Sequence, residues 1–280
     1  MGTSMKRIGI LFHPKRKDSV DFAGELLKFL TARGLSVWQC SSWEEDKVRG
    51  QASSCDLILS IGGDGTILRA ARAITPATTP ILGINLGKLG FLSEFGASEA
   101  MEKLPAVLDG QGWKEHRAML EAEVSVPGRG GKYYALNDVV AARGSSARLI
   151  NIEVRLDGKF LTTYRADGLI VCTATGSTGY CLASGGPILH PETKDIVLKP
   201  IAPHFSIDQA LVLPSNTQVH LKVSTGHEAM VSIDGQVEFP LRDSDEVKAR
   251  ISPYSAVLWR LRPRSYFYNS LEQVFKGKML

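Results

Sequence analysis

One carboxylate lies within a group of glycines near the start of the chain, in the stretch Gly62-Gly63-Asp64-Gly65-Thr66. Glycines let the backbone adopt positive φ and approach a ligand closely, and the N–H groups at a helix start bind anions. Such a loop suits phosphate, but a carboxylate repels phosphate, so Asp64 needs its own explanation. Asp64 can serve as a base or an Mg²⁺ anchor beside a reacting hydroxyl, or it can cap the helix that follows.

The two standard phosphate loops do not match this sequence. Gly63 and Gly65 start a dinucleotide-binding fingerprint, but Leu68 occupies the position of its third glycine. A second stretch, 83–88, has too few residues between its glycines for a Walker loop, and Leu89 stands where that loop needs Ser or Thr. The sequence therefore predicts a different kind of phosphate site.

A second polar stretch runs from Thr173 to Tyr180 and combines four hydroxyl side chains, two glycines and a tyrosine. Hydroxyls and free N–H groups can bind phosphate or ribose oxygens, and Tyr180 can pack on an adenine ring. The alternative is a loop whose hydroxyls cap a short helix. Ser177 is not expected to be a nucleophile, because its surroundings lack the Gly-x-Ser-x-Gly order and a histidine nearby in sequence.

Two further stretches could contact a ligand. Asn137 and Asp138 lie inside the strand-like run Tyr133 to Ala142, where Asn and Asp are disfavoured. They indicate a bulge, a contact such as a carboxylate accepting ribose hydroxyls, or a solvent-facing edge. The stretch from Asn85 to Leu92, with Lys88 among its glycines, is either an ordinary loop or a ligand-facing loop beside the Asp64 turn.

The elements that must position these residues alternate between strand and helix in the first third of the chain. This alternation predicts a parallel sheet covered on both faces, with ligands bound beyond the carboxyl ends of its strands, where the Asp64 loop falls. Ser98 is the expected N-cap of the last helix before Gly110. The predicted strands are Arg7–Phe12, Val37–Cys40, Leu57–Ile61 and Ile81–Ile84.

From Trp113 onward, short apolar runs alternate with turn signals, including the hairpin dipeptides Asp157-Gly158 and Asp234-Gly235. The fold class is therefore an α/β N-terminal domain with a parallel sheet, plus a β-rich, antiparallel and sandwich-like C-terminal domain. We expect the first domain to span 1–110 and the second 111–261, with the tail 262–280 packing back on the first as a helix. The expected strands include 133–142, 150–156, 160–165, 169–173, 219–223, 230–233, 247–251 and 256–261.

Composition narrows the class of protein. The chain has 280 residues, 44% of them hydrophobic and 22% charged, and a net charge of +4 without a basic run, so we expect no nucleic-acid partner. The four cysteines form no close pair and no histidines have metal-ligand spacing, so we expect reduced thiols and no resident metal site. Without a membrane-length apolar run or a signal peptide, a cytoplasmic location is expected.

Taken in order, the motifs resemble those of the NAD kinase family. The glycine-aspartate loop alone is shared with lipid kinases and phosphofructokinases, but the ordered set is specific and covers most of the chain. The matching stretches are Gly62-Gly63-Asp64-Gly65-Thr66, Leu136-Asn137-Asp138, Arg165-Ala166-Asp167-Gly168, Thr175-Gly176-Ser177-Thr178-Gly179-Tyr180, Gly185-Gly186-Pro187 and Ser232-Ile233-Asp234-Gly235-Gln236.

The resemblance implies transfer of the terminal phosphate of ATP, or of polyphosphate in some relatives, to the adenosine 2′-hydroxyl of NAD. Asp64 would accept the hydroxyl proton, with Gly65 beside it, and Mg²⁺ or another divalent cation would arrive with ATP. NAD would lie between the domains, and the protein would form a homodimer or homotetramer without a membrane partner.

The resemblance also implies NAD contacts in the second domain, with Asp167 towards the nicotinamide end. Asp138 is shorter than the glutamate of many relatives, Gly179 replaces an alanine, and Ala183 lacks the hydroxyl of a common serine. The implied contacts are Asn137, Asp138, Arg148, Arg165, Asp167, Thr178, Gly179, Tyr180, Cys181, Leu182, Ala183 and Gln236.

Two rival interpretations use the same residues. A lipid kinase of the diacylglycerol kinase type shares the glycine-aspartate loop, but it would lack a matched ribose-binding pair such as Asn137 and Asp138. A non-catalytic NAD(P)-binding sensor would have no need of the Asp64 carboxylate.

Overall fold

A computed structural model describes residues 5–87, 90–126 and 130–276. Within these ranges the chain forms two compact units. The first unit takes the described residues up to His116 and again from Ala256 onward, and the second takes those from Arg117 to Ser255.

The first part of the chain alternates strands and helices. In order, its elements are β1 (Arg7–Phe12), α1 (Lys17–Thr31), β2 (Ser36–Ser41), α2 (Glu45–Ala52), β3 (Leu57–Ile61), α3 (Asp64–Ile74), β4 (Ile81–Asn85), β5 (Phe95–Gly96) and α4 (Ala97–Leu108).

The remainder is mostly strand. Its elements are β6 (Trp113–Ser125), β7 (Gly131–Ala135), β8 (Asp138–Arg143), β9 (Ile150–Leu156), β10 (Lys159–Ala166), β11 (Gly168–Cys172), α5 (Tyr180–Ala183), β12 (Ile196–Ile201), β13 (Leu211–Leu213), β14 (Val219–Ser224), β15 (Ala229–Ile233), β16 (Val237–Leu241), β17 (Glu246–Arg260) and α6 (Tyr266–Phe275).

The first unit contains a parallel sheet in the order β4-β3-β1-β2. Every residue of β3 and β4 is buried, as expected for strands covered on both faces. In the register, Phe12 of β1 pairs with Ile61 of β3, and Ile61 pairs with Ile84 of β4. These strands therefore end at one edge, and the glycine loop before α3 lies at that edge.

The second unit is built from antiparallel sheets. One has six strands in the order β13-β12-β11-β8-β15-β16, and the other includes the run β10-β9-β14-β17. Val139 and Leu169 of the first sheet share one buried core with Val154 and Leu221 of the second, so the strands form a sandwich. The α/β and β-rich classes predicted from the sequence are both confirmed.

The two predicted hairpin turns are also confirmed. Asp157 and Gly158 have φ of 50° and 80° between β9 and β10, and Asp234 and Gly235 have φ of 52° and 62° between β15 and β16. Two successive positive φ values suit tight turns between right-twisted strands. The first turn has two residues, Asp157 and Gly158, and the second has three, 234–236.

Three local predictions were wrong. The runs 247–251 and 256–261 belong to one strand, β17, because residues 252–255 between them remain extended. The run 133–142 is two strands, β7 and β8, because the Asp234 carboxylate binds the backbone N–H groups of residues 136–138. Ser98 lies inside α4, whose N-cap is Gly96, and the Gly96 N–H is bound by the Glu99 carboxylate at 3.3 Å.

Two further features are the length of the helices and the state of the thiols. None of the helices in the described ranges has both the length and the apolar character needed to cross a membrane. Cys40, Cys55, Cys172 and Cys181 are all buried free thiols. Burial raises the pKa of Cys40 to about 11, so this thiol stays protonated at neutral pH.

Candidate nucleotide site

Asp64 is the first residue of α3, and Gly63 is the N-cap. Because Gly63 occupies the N-cap position, the alternative that Asp64 caps this helix does not hold. The start of a helix nevertheless favours a negative charge there. Asp64 is half-buried and Gly65 is exposed, which leaves the loop open to a ligand.

The Asp64 carboxylate is held by a segment almost thirty residues further along the chain. Oδ2 accepts the N–H groups of Phe91 at 2.9 Å and Leu92 at 3.3 Å, and Oδ1 accepts the Ser93 hydroxyl at 3.0 Å. Because a carboxylate has about four acceptor positions, this arrangement leaves one on Oδ1 for a substrate hydroxyl.

Two glycines provide the space for this arrangement. A Cβ on Gly90 would lie 2.3 Å from both carboxylate oxygens of Asp64, and a Cβ on Gly62 would lie 2.3 Å from the Thr66 hydroxyl. Gly62 also has φ of +150°, at the edge of the region that favours glycine. The loop that holds Asp64 therefore requires glycine on both sides of the carboxylate.

A buried arginine supports the segment that binds Asp64. The Arg260 guanidinium donates to the Leu92 carbonyl at 2.8 Å, to Glu115 at 2.7 Å and to Glu94 at 3.3 Å. Glu94 also accepts the N–H groups of residues 261 and 262, at 2.9 and 2.7 Å. A buried cation with two carboxylates and a carbonyl fixes the backbone around Leu92.

In the second unit, one carboxylate organises the Asn137–Asp138 pair. Asp234 Oδ1 accepts the N–H groups of Asn137 at 2.7 Å and Asp138 at 3.1 Å, and Oδ2 accepts that of Leu136 at 3.0 Å. These bonds replace strand pairing at this point, which is why β7 and β8 are separate.

Asp138 is itself unusual. It is 6% exposed, and burial followed by the charge of Asp234 raises the pKa of its carboxyl to about 7. Asp234, in contrast, accepts hydrogen bonds from three backbone N–H groups. The two carboxyls therefore differ in role: Asp234 shapes the backbone, and Asp138 changes charge near neutral pH.

A cavity of about 440 Å³ brings several predicted residues together. Asn137, Asp138 and Tyr180 all line it, along with Met230 and Gly235. Tyr180 is 48% exposed, so its ring is accessible for stacking. Gln236 follows Gly235 in sequence, and Cys181 is buried beside Cys172 in a small core.

Three hydroxyls of the stretch 173–180 donate hydrogen bonds to backbone carbonyl oxygens of the protein. Thr173 donates to the Leu136 carbonyl at 2.6 Å, Ser177 to that of Ala174 at 2.6 Å, and Thr178 to that of Thr175 at 3.1 Å. The donor hydrogens of these three hydroxyls therefore hold the loop in shape. A Cβ on Gly176 would lie 2.2 Å from the Asn137 carbonyl oxygen, so glycine allows the stretch to lie against the asparagine.

Gly179 can be compared with the alanine usual in the resembled family. A Cβ on Gly179 would meet its nearest neighbours at 3.4 and 3.7 Å, which is ordinary contact. The loop therefore accommodates either residue. Leu182 and Ala183 complete the short helix α5, with Leu182 half-buried and Ala183 exposed.

The predicted arginines lie apart from this cavity. Arg148 and Arg165 line another cavity of about 520 Å³ together with Asn151 and His227. Asp167 pairs with Arg143, whose Nε donates to its carboxylate at 2.5 Å. A larger cavity, of about 830 Å³, is lined by residues 144–145, 225–230 and 238–243, so it includes no predicted site residue.

Several supporting residues were not found by sequence reasoning: Ser93, Asp234, Arg143, Arg117 and Arg260. Arg117 is buried and donates to the Thr175 hydroxyl at 3.2 Å. Asp234 stood out only as a turn residue and as part of a motif that resembles the family, and the arginines carried no local signal. Lys88 and Leu89, part of the proposed ligand-facing loop, lie outside the described residues.

Comparison with known proteins agrees with this architecture. Residues 34–112 match the ATP-NAD kinase N-terminal domain and residues 136–261 match the ATP-NAD kinase C-terminal domain. An NAD kinase of Dehalococcoides mccartyi is 45% identical over 97% of this chain and 96% of its own. An NAD kinase of Chloroflexus aggregans is 38% identical over 95% of this chain and 97% of its own.

Two solved structures have a similar fold. An NAD kinase from Archaeoglobus fulgidus in complex with ATP has a TM-score of 0.77 and 27% identity, covering 96% of this chain and 98% of that one. A yeast NADH kinase complexed with NADH has a TM-score of 0.84 and 24% identity, covering 98% and 88%, and this likeness concerns the fold. The comparisons do not favour a lipid kinase or a non-catalytic sensor. The chain belongs to the NAD kinase family of phosphotransferases.

Proposed function

We propose that the chain phosphorylates the adenosine 2′-hydroxyl of NAD with ATP to give NADP, with Asp64 as the general base. The hydroxyl oxygen attacks the terminal phosphorus and forms a new P–O bond, while the bond to the bridging oxygen of ADP breaks. The hydroxyl proton passes to Asp64. General-base catalysis of this kind contributes about 10²- to 10⁴-fold to the rate.

The observation that supports this proposal best is the immobilised Asp64 carboxylate. Three donors fix its orientation, and an acceptor position on Oδ1 remains for a hydroxyl. A base held in one geometry loses little entropy when the substrate hydroxyl approaches. The start of α3, with its positive dipole end, gives phosphate a place beside this carboxylate.

The acceptor nucleotide is assigned to residues of the second unit. In this proposal Asn137 and Asp138 bind ribose hydroxyls, and Tyr180 packs on adenine in the cavity that the three share. Thr178, Gly179, Cys181, Leu182 and Ala183 shape the wall of the adenosine pocket, and Gln236 adds a contact. Arg148 and Arg165 bind NAD through its negative charge, and Asp167 contacts its nicotinamide end.

In this proposal the divalent cation is carried by the substrate ATP and not by a metal site of the protein. In the described ranges, no group of three or more His, Cys, Asp or Glu side chains could hold a metal ion. Mg²⁺ commonly binds through substrate phosphates and keeps several waters, so such a group is not required. Mg²⁺ or another divalent cation would arrive with ATP and offset the charge of its phosphates.

The proposal is tested by incubating the protein with NAD, ATP and Mg²⁺ and measuring NADP. Parallel reactions replace ATP by polyphosphate and NAD by NADH, which identifies donor and acceptor. NADP formed from NAD and ATP is the expected result. If a diacylglycerol is phosphorylated instead, or NAD binds without turnover, the proposed function is wrong.

Assembly and compartment complete the proposal. We infer a homodimer or homotetramer, because the edge strands β10 and β13 carry exposed apolar side chains: Phe160 is 57% exposed and Val212 50%. Light scattering gives the oligomeric state directly. Four free thiols are consistent with the reducing cytoplasm, which cell fractionation tests.

A further inference from the structure

An exposed tryptophan with cations around it lies at the carboxyl edge of the parallel sheet in the first unit. Trp43 follows β2 and is 41% exposed. Lys15 Nζ lies 4.8 Å from its ring centroid and Arg69 Cζ 5.2 Å from it. His13 meets the same ring edge-on, with the ring centroids 5.8 Å apart. We call Lys15, Trp43 and Arg69 the Trp43 cluster.

Within the described residues, the two cations of the cluster are not held in close ion pairs. Two neighbouring arginines are paired, Arg16 with Asp18 and Arg72 with Glu45. Across the described residues, Lys15 and Arg69 have no such carboxylate partner. Burial, and then the charge of Arg72, lowers the pKa of Arg69, while the charge of Glu45 acts in the opposite direction. A bound anion would add to the effect of Glu45 and favour the charged guanidinium.

The Trp43 cluster and the Asp64 loop share one edge of the sheet. The His13 N–H donates to the Ser19 hydroxyl at 2.9 Å, and that hydroxyl donates to the Ile61 carbonyl, also at 2.9 Å. Ile61 directly precedes Gly62, so the turn after β1 is joined to the start of the glycine loop. Arg69 lies on α3, the helix that Asp64 begins.

We propose that the Trp43 cluster binds the phosphate chain of the donor, as the outer part of the donor site. This rests on the proposed function. Ligands of parallel sheets bind beyond the carboxyl ends of the strands, where the cluster lies. Lys and Arg bind phosphate oxygens through charge-assisted hydrogen bonds, and the chain of ATP and that of free polyphosphate present the same chemistry.

Kinetics provide the first test. Lys15→Gln and Arg69→Gln should each raise the KM for ATP about tenfold, because each removes one charge-assisted contact to phosphate. The KM for NAD should not change. Arg33→Gln is the matched control, since Arg33 also lies on an aromatic ring, 3.7 Å from that of Phe29, but at the opposite end of α1. Lys15→Arg should retain the wild-type KM for ATP.

A binding measurement provides the second test and does not require turnover. Titration with Mg²⁺-ATP should change the tryptophan fluorescence in a saturable way, and Trp43→Phe should abolish that change although Trp38, Trp113 and Trp259 remain. A parallel titration with tripolyphosphate distinguishes the two sources of the phosphate chain. If the fluorescence responds to tripolyphosphate but not to ATP, the cluster takes free polyphosphate. If it responds to ATP, the cluster takes the nucleotide.

The outcomes separate this proposal from the proposed function. If the protein forms no NADP but the titration responds and weakens in Lys15→Gln and Arg69→Gln, the donor site stands and the function fails. If NADP forms and both variants keep the wild-type KM for ATP, the donor site is wrong. A rise in the KM for NAD instead of ATP also overturns it.

Discussion

Arg260 Nη1 donates to the Leu92 carbonyl oxygen at 2.8 Å, and the N–H of the same Leu92 donates to the Asp64 carboxylate at 3.3 Å. A single residue thus connects a buried guanidinium to the carboxylate proposed as the base. Glu94 and Glu115 hold the guanidinium from other sides. We infer that Arg260 is a positioning residue, which acts on the reaction only through the segment that binds Asp64.

Arg260→Met tests the energetic side of this relationship. It leaves two buried carboxylates without their cation, so we expect a loss of about 3–5 kcal/mol in the free energy of unfolding, measured with urea. Arg16→Met is the control: it also removes an arginine-carboxylate pair, but both partners are exposed, so stability should hardly change. A small effect of Arg260→Met would show that the buried network does not secure the fold.

Gly90→Ala tests the space beside the base. The added methyl would lie 2.3 Å from both Asp64 oxygens, so the carboxylate must move. We expect kcat to fall by about a hundredfold, the lower end of what a general base supplies. Gly87→Ala lies in the same loop, and its methyl meets its nearest atom at 3.7 Å, so it should keep normal turnover. Equal kcat values for the two variants would contradict the proposed geometry.

Ser93→Ala removes one of the three donors to Asp64. Because the two backbone donors remain, we expect kcat to fall by only about fivefold, with an unchanged KM for NAD. Ser98→Ala, on the exposed face of α4, is the control. A change in KM for NAD without a change in kcat would assign Ser93 to substrate binding instead.

The pH dependence of stability follows from Asp138. Its folded-state pKa is raised to about 7, so between about pH 4 and 7 the folded protein binds more protons than the unfolded chain. The contribution of Asp138 to stability should therefore be greatest at the acid end of this window and fall as pH rises towards 7. Urea midpoints across this range should show less of that fall in Asp138→Asn, while Asp21→Asn, an exposed control, should follow the wild type.

Much of the fold could be predicted because its signals are local. The strands Arg7–Phe12, Leu57–Ile61 and Ile150–Leu156 have the predicted bounds, since apolar runs of strand length end at turn residues. The tail helix 266–275 likewise shows its apolar period. By contrast, β16 was missed, because Pro240 interrupts its pattern although the strand continues.

The candidate site was predictable only in part, because its support is long-range. Asp64 stood out through its glycines, but its partners Phe91 to Ser93 come from another loop. Arg260 and Leu92 are separated by 168 residues. No periodicity connects residues so distant, and packing of the whole unit decides which of them meet. The functional assignments of the predicted residues stay predictions until variants are measured.

Asp64→Asn tests the central claim most directly, when turnover and NAD affinity are measured on the same preparation. Asparagine keeps the size of the side chain and an oxygen for the Phe91 and Leu92 N–H groups, but it cannot accept the hydroxyl proton. We predict an unchanged Kd for NAD and a loss of about 10²- to 10⁴-fold in kcat. Turnover close to that of the wild type, with NAD still bound, would remove Asp64 from the role of base.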